Sequence, residues 1–289
     1  MGLPYDRVVV VFNPHSTGDA PALAGELRAE LAARVPDLPV TLRPTEHAGH
    51  ARDLAREAAG TGLPLIVSVS GDGGYNEVVD GVMQAGGDSA VCAVLAAGNA
   101  NDHRRVTRER PLADAIVAGD VRRIDLLRMT VDGQVRHAHS YIGLGITPTV
   151  AIELEKGGKG SLREIATTIR TFARFRPFEI DTDRGRTRFD SLIFANLDEM
   201  AKYATLSDDG RPDDGRFEVI LLPHTAKWRV LATAVRAAVR GLGPQPSVRE
   251  YRFRTVKPVP VQVDGEVHEL DAGADVHVEI LPGALRTVL

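Results

Sequence analysis

Apolar and polar positions follow two different rhythms along this chain. Val8-Val9-Val10-Val11-Phe12 is a short unbroken apolar run, the pattern of a strand buried on both faces, and Asn13-Pro14-His15-Ser16-Thr17-Gly18 closes it with turn residues. Leu23, Leu27 and Leu31 then recur every four residues among Arg and Glu, as on an amphipathic helix, ahead of an extended stretch at 40–43. Ala51, Leu54, Ala55 and Ala58 mark a second helix, 63–70 a third strand, 75–83 a third helix and 91–96 a fourth strand. Strands separated by helices need crossover connections. The pattern therefore predicts a mostly parallel sheet covered on both faces, with ligands at the carboxyl ends of its strands.

After about Arg122 the rhythm changes. Apolar-rich stretches at 124–131 and 135–142 flank Asp132-Gly133, a strong hairpin signal, and a second hairpin surrounds Asp183-Arg184-Gly185. Further strands are predicted at 217–222, 249–256, 259–263 and 276–281, so this half is mainly antiparallel. Two helices interrupt it, at 162–175 before Pro177 and at 227–240 before Gly241 and Gly243.

Composition narrows the function classes. With 289 residues, 43% hydrophobic and 26% charged, the chain has the material for two folded domains and none of the bias of a disordered one. The longest run free of Asp, Glu, Lys and Arg, His137 to Ile152, spans 16 residues, short of the ~20 a spanning helix requires. Tyr5, Asp6 and Arg7 precede an apolar run too short for a signal peptide, so a cytoplasmic protein is expected. A single cysteine, Cys92, excludes an internal disulfide and reads as a buried thiol. The net charge of −4 comes from acids and bases mixed along the chain and carries no footprint for nucleic acid.

Three loops carry candidate chemistry, each just after a predicted parallel strand. The first, Asn13 to Gly18, offers an amide, hydroxyls and backbone donors suited to anionic oxygens; an ordinary turn would use the same residues. In the second, Ser70-Gly71-Asp72-Gly73-Gly74-Tyr75-Asn76-Glu77, three glycines allow close backbone approach and the next helix offers its first amides to phosphate. It is neither a P-loop nor a G-x-G-x-x-G fingerprint. An acid in such a loop repels phosphate unless a cation intervenes, so Asp72 points to magnesium or to a catalytic base, or else caps the helix. The third loop, Gly98-Asn99-Ala100-Asn101-Asp102, repeats the theme after the fourth strand.

In order, these loops resemble the diacylglycerol kinase catalytic family, which includes bacterial lipid kinases and sphingosine and ceramide kinases. The family's loops read N-P-x-S-G, then G-G-D-G-T-x-N-E-V or S-G-D-G, then G-T-x-N-D. Here Asn13-Pro14, Ser70-Gly71-Asp72-Gly73, Asn76-Glu77-Val78 and Gly98 with Asn101-Asp102 stand at matching separations, with Thr45 in the short Thr element after the second strand. The second half continues the match through Ile124-Asp125-Leu126, Asp213-Asp214-Gly215-Arg216-Phe217-Glu218-Val219 and Val263-Asp264-Gly265-Glu266.

The resemblance implies an α/β nucleotide-binding domain over 1–122, related to NAD kinase and phosphofructokinase, to which residues 283–289 return. It also implies a C-terminal antiparallel β-sandwich over 123–282 that takes a lipid acceptor. The implied reaction is γ-phosphoryl transfer from ATP to a lipid hydroxyl, of the diacylglycerol or sphingosine kind, in phospholipid biosynthesis. Such transfer needs alignment, cation neutralisation and a proton acceptor more than covalent help. By motif match Asn13, Pro14, Ser16, Thr17, Thr45, Ser70, Gly71, Asp72, Gly73, Gly74, Asn76, Glu77, Gly98, Asn99, Asn101 and Asp102 line the ATP site. Asp264 and Glu266 match the pair that activates the acceptor, and Asp72 has that role in the sphingosine kinase branch. A structural Mg²⁺ would use Asp214 with carbonyls near Arg211 and Arg216, a segment equally readable as a solvated acidic turn.

Departures from the family pattern concern the phosphate and acceptor contacts. Gly74 and Asn99 replace threonines, and Glu199 to Ala204 replaces a glycine-rich stretch. Leu162, Ile165, Ile169 and Phe172 share a helix face edged by Arg163, Arg170 and Arg174; the stripe either packs on the sandwich or gives a peripheral hold on an anionic membrane face. Two rival readings stand beside the lipid kinase: a kinase of a soluble acceptor, as NAD kinase is, and a catalytically silent nucleotide- or lipid-binding protein.

Overall fold

The computed structural model describes residues 2–16, 18–97, 110–145, 177–196, 199–200, 204–205, 212–224 and 244–288. Two compact units divide the chain: Met1–Leu126 with Leu281–Leu289, and Leu127–Ile280.

The first unit follows the order β1 (Arg7–Phe12), α1 (Ala20–Arg34), β2 (Val40–Pro44), α2 (His50–Ala59), β3 (Pro64–Ser70), α3 (Asp72–Gln84), β4 (Val91–Ala96), α4 (Leu112–Ala118) and the start of β5 (Val121–Val131). β1 lies between β2 and β3, and β3 pairs with β4, all parallel. The unbroken valine run of β1 has a direct structural meaning. Successive side chains of a strand point to opposite faces. Val8 and Val10 therefore enter one core with Leu65, Val67 and the inner faces of α1 and α4, while Val9 and Val11 enter a second with Ile66 and the inner faces of α2 and α3. A strand with helices on both sides reads as a nearly continuous apolar run. Cys92 sits in the second core, where burial pushes its thiol up to about 12; it is an inert packing residue. The short helix α4 has no counterpart in the sequence-based expectation, since seven residues are too few to show periodicity.

The chain's last residues complete this sheet. Thr287 pairs in parallel with Cys92, and Gly283 N–H donates to the buried Asp125 carboxylate at 2.7 Å. Leu285 and Val288, each 1% exposed, enter opposite cores.

The second unit holds the rest of β5, then β6 (Gln134–Ala138), β7 (Tyr141–Gly145), β8 (Phe178–Thr182), β9 (Gly185–Ala195), β10 (Glu199–Met200), β11 (Ala204–Thr205), β12 (Phe217–Pro223), β13 (Ser247–Val248), β14 (Glu250–Thr255), β15 (Val259–Val263), β16 (Glu266–Leu270) and the first part of β17 (Asp275–Val288). Its described pairings are antiparallel and run β16-β15-β7-β9-β8-β14-β17, with β12 also on β9. Phe194 lies at its core, edge-on to Phe217 at 5.8 Å. Asp132-Gly133 and Asp264-Gly265 each close a two-residue hairpin with both residues at positive φ, 48° and 83° for the first and 43° and 94° for the second. This is the backbone that Asp-Gly favours in a type I′ turn.

One expected strand, 135–142, is split in two. His139 and Ser140 leave the ladder between β6 and β7 because their N–H groups turn onto the Asp264 carboxylate.

Leu285→Ala is expected to lower unfolding stability by about 2–5 kcal/mol, the range for emptying a buried leucine site. Denaturant unfolding that shows no change would remove the C-terminal return from the list of supports of the first unit.

Candidate active site

The carboxyl ends of β1, β2 and β3 in the first unit deliver three loops to one cavity. After β1, Asn13 Oδ1 accepts the His15 N–H at 2.9 Å and Asn13 O accepts the Ser16 N–H at 3.2 Å, a compact turn that brings Ser16 back toward the sheet. After β2, Thr45 N–H donates to Phe12 O at 2.8 Å, which ties the second loop to the first. After β3, Gly71 stays extended and α3 begins at once with Asp72. Ala97 N–H closes on Ser70 O at 2.9 Å beyond β4.

The cavity measures about 550 Å³, within the size range of small-molecule sites. Of the residues expected at the ATP site, Asn13, Ser16, Thr45, Ser70, Gly71, Gly74 and Glu77 line it. Pro14, Asp72, Gly73 and Asn76 do not: Pro14 sits in the turn, Asp72 and Gly73 open α3, and Asn76 is 3% exposed on the buried side of that helix. Thr17, Gly98, Asn99, Asn101, Asp102 and Arg211 lie outside the described residues, as do the expected helices at 162–175 and 227–240.

Sequence reasoning had not singled out His15, Glu46 and His47, which also line the cavity. Their signal was position alone, just after strands β1 and β2. The His47 ring stacks on His50 with centroids 4.7 Å apart, and Glu77 accepts the Gly49 N–H at 3.2 Å, which joins α3 to the start of α2.

Electrostatically the cavity suits a polyanion only with help. The first amides of α3 carry no side-chain cap, and such amides with the helix dipole attract anions. Hydroxyls of Ser16, Thr45 and Ser70 add donors. Among the described lining residues there is neither Lys nor Arg, and Glu46 and Glu77 are acidic. Helix amides alone do not offset several phosphate charges, so a divalent cation fits this donor set; the acids on the lining are Glu46 and Glu77, and Asp72 follows the lining residue Gly71 at the start of α3.

The other candidate acids belong to the second unit. Asp264 is fully buried. Its Oδ1 accepts N–H groups of Tyr141 at 2.8 Å and Ser140 at 3.1 Å; its Oδ2 accepts the His139 N–H at 2.5 Å and lies 2.5 Å from His139 Nδ1. A carboxylate has about four lone-pair sites, and the three backbone N–H groups take up three of them. Asn196 holds the same segment from the other side, its N–H donating to Ser140 O and its amide Nδ2 to His139 O. Glu266, at the start of β16, keeps 22% of its side chain exposed and lies 3.4 Å from His268 Nε2. Asp214 is exposed, and its Oδ1 accepts the Arg216 N–H at 2.9 Å in a tight turn. Behind it, burial first and the Asp214 charge second raise the pKa of Glu218. No group of three or more His, Cys, Asp or Glu side chains among the described residues forms a ready metal cluster, and no helix among them is long and apolar enough to cross a membrane.

Known proteins resemble this chain over the same elements. Residues 7–129 match the model of the diacylglycerol kinase catalytic domain. A protein named "Probable lipid kinase YegS-like" from Pseudomonas aeruginosa is 26% identical over 98% of this chain and 94% of its own. The "Diacylglycerol kinase" of Bacillus subtilis is 27% identical over 68% of this chain and 66% of its own. Among solved structures, a diacylglycerol kinase from Bacillus anthracis superposes with a TM-score of 0.73 at 19% identity, covering all of this chain and 98% of that one, which establishes a shared fold. By its loop motifs, its parallel sheet and the match over its length, the segment 7–129 belongs to the diacylglycerol kinase catalytic-domain family.

Proposed function

We propose that the protein is a Mg²⁺-dependent lipid kinase that transfers the γ-phosphoryl group of ATP to a lipid hydroxyl. The observation that carries this reading is the cavity built from the loops after β1, β2 and β3, with Gly74 of the uncapped first turn of α3 and the hydroxyl residues Ser16, Thr45, Ser68 and Ser70 on its wall. The names borne by the Pseudomonas and Bacillus relatives favour a lipid acceptor.

In this account the first unit binds and orients the triphosphate. Asn13, Ser16, Thr45 and Ser70 hold phosphate oxygens, the amides of α3 bind the same group, and Asp72 places the cation that neutralises it. Mg²⁺, when bound, draws charge from the phosphates as transfer proceeds. The three acids then take separate roles. Asp264 is committed to the backbone of residues 139–141 and is a positioning residue. Glu266, two residues on and partly exposed, is the proton acceptor for the lipid hydroxyl; Asp72 serves the metal. Peripheral contact with a membrane follows from the substrate class.

Radiolabelled ATP with Mg²⁺ and a panel of diacylglycerol, sphingosine, other lipid alcohols and NAD is expected to label a lipid. Labelled NADP would instead support a soluble acceptor, and ATP binding without transfer a silent protein. Glu266→Gln is expected to lower kcat about 10²- to 10⁴-fold, the usual contribution of general base catalysis, with the KM for ATP unchanged; near-normal turnover would dismiss Glu266 as the acceptor. Asp264→Asn places an amide NH₂ against buried N–H donors and is expected to cost about 3 kcal/mol of stability. An Asp264→Asn protein with unaltered unfolding but no turnover would return the base role to Asp264.

A further inference from the structure

Gly74 occupies a position that has no space for a side chain, and the obstruction is one residue. A Cβ built on Gly74 would lie 2.7 Å from Ser70 Cβ and 2.8 Å from Ser70 Oγ, and outside the helix's own backbone no other described atom comes within 4 Å. The backbone at Gly74 does not need glycine, because it is helical and its φ is not positive. The cost of a side chain at 74 is therefore steric, and Ser70 alone sets it.

The Ser70 hydroxyl occupies the place so vacated, on the wall of the cavity against the first turn of α3. Its Oγ lies 2.7 Å from Ser68 Oγ and 2.9 Å from Gly71 O. Ser68 is 2% exposed on β3. With Ser68 donating to Ser70, the Ser70 proton is shared only with Gly71 O and can turn from that carbonyl to an anionic oxygen in the cavity, which accepts more strongly.

We infer that Ser70 provides the phosphate-binding hydroxyl of this glycine loop, backed by Ser68, and that residue 74 is glycine in order to seat it. Hydroxyl and side-chain space are exchanged between positions 70 and 74, so the two residues form one unit. The phosphate role rests on the ATP reading above; the steric coupling does not.

Two measurements test the two halves. In thermal unfolding, Gly→Ala inside a helix ordinarily stabilises; here Gly74→Ala is expected to lower the Tm of the otherwise unchanged protein and to raise the Tm of Ser70→Gly. A stabilising Gly74→Ala in the unchanged protein, or the same sign in both backgrounds, overturns the seating. By calorimetry, Ser70→Ala is expected to bind ATP and tripolyphosphate about 10- to 100-fold more weakly, the worth of one hydrogen bond to a charged group. Equal affinity of Ser70→Ala and the unchanged protein overturns the phosphate role. If the unchanged protein binds neither ligand, the ATP reading falls and takes the phosphate role with it, while the Tm signs still decide the coupling.

Discussion

Burial of β1 and β3 on both faces is the constraint on which the first unit depends. A strand with a helix layer on each side is apolar along most of its length, and polar side chains gather toward its end, as Ser68 and Ser70 do on β3. Parallel order then sends every following loop to the same edge of the sheet. Val8 through Val11 and Leu65 through Val67 thus account for more of the site than any polar residue does: they explain why Asn13, Thr45 and Ser70, far apart in sequence, line one cavity. The hydrogen bonds from Thr45 to Phe12 O and from Ala97 to Ser70 O extend the sheet's order into the loops themselves.

In the second unit the corresponding organising contact is electrostatic. Asp264 at a positive φ beside Gly265 reaches into the break between β6 and β7 and gathers three consecutive N–H groups. Fully buried charge persists only when its lone pairs are satisfied. That requirement bends the backbone at His139 and Ser140, and it explains why one expected strand became two. It also separates Asp264 from Glu266 in role, although they are two residues apart in the same hairpin.

Much of this was legible in the sequence because it rests on local rules. Four adjacent valines announced a doubly buried strand, and Asp132-Gly133 and Asp183-Arg184-Gly185 announced their turns. The loop motifs grouped Asn13, Ser16, Thr45, Ser70, Gly71 and Gly74, residues that line one cavity. What escaped depends on contacts between residues distant in sequence or too few to show a period. The seven residues of α4 show no rhythm, His15 and His47 carry no pattern beyond following a strand, and the capture of residues 139–141 by Asp264 spans more than 120 positions. The steric pairing of Ser70 with Gly74 lies within one loop motif, but only distances reveal it.

The central claim is that the loops after β1, β2 and β3 form the triphosphate site. Hydrogen–deuterium exchange with and without Mg²⁺-ATP addresses it most directly. Protection is expected at residues 13–16, 45–48 and 70–77 together, with strands β8 and β9 of the second unit unchanged. Nucleotide-dependent protection confined to the second unit, or absent from 70–77, would contradict the account.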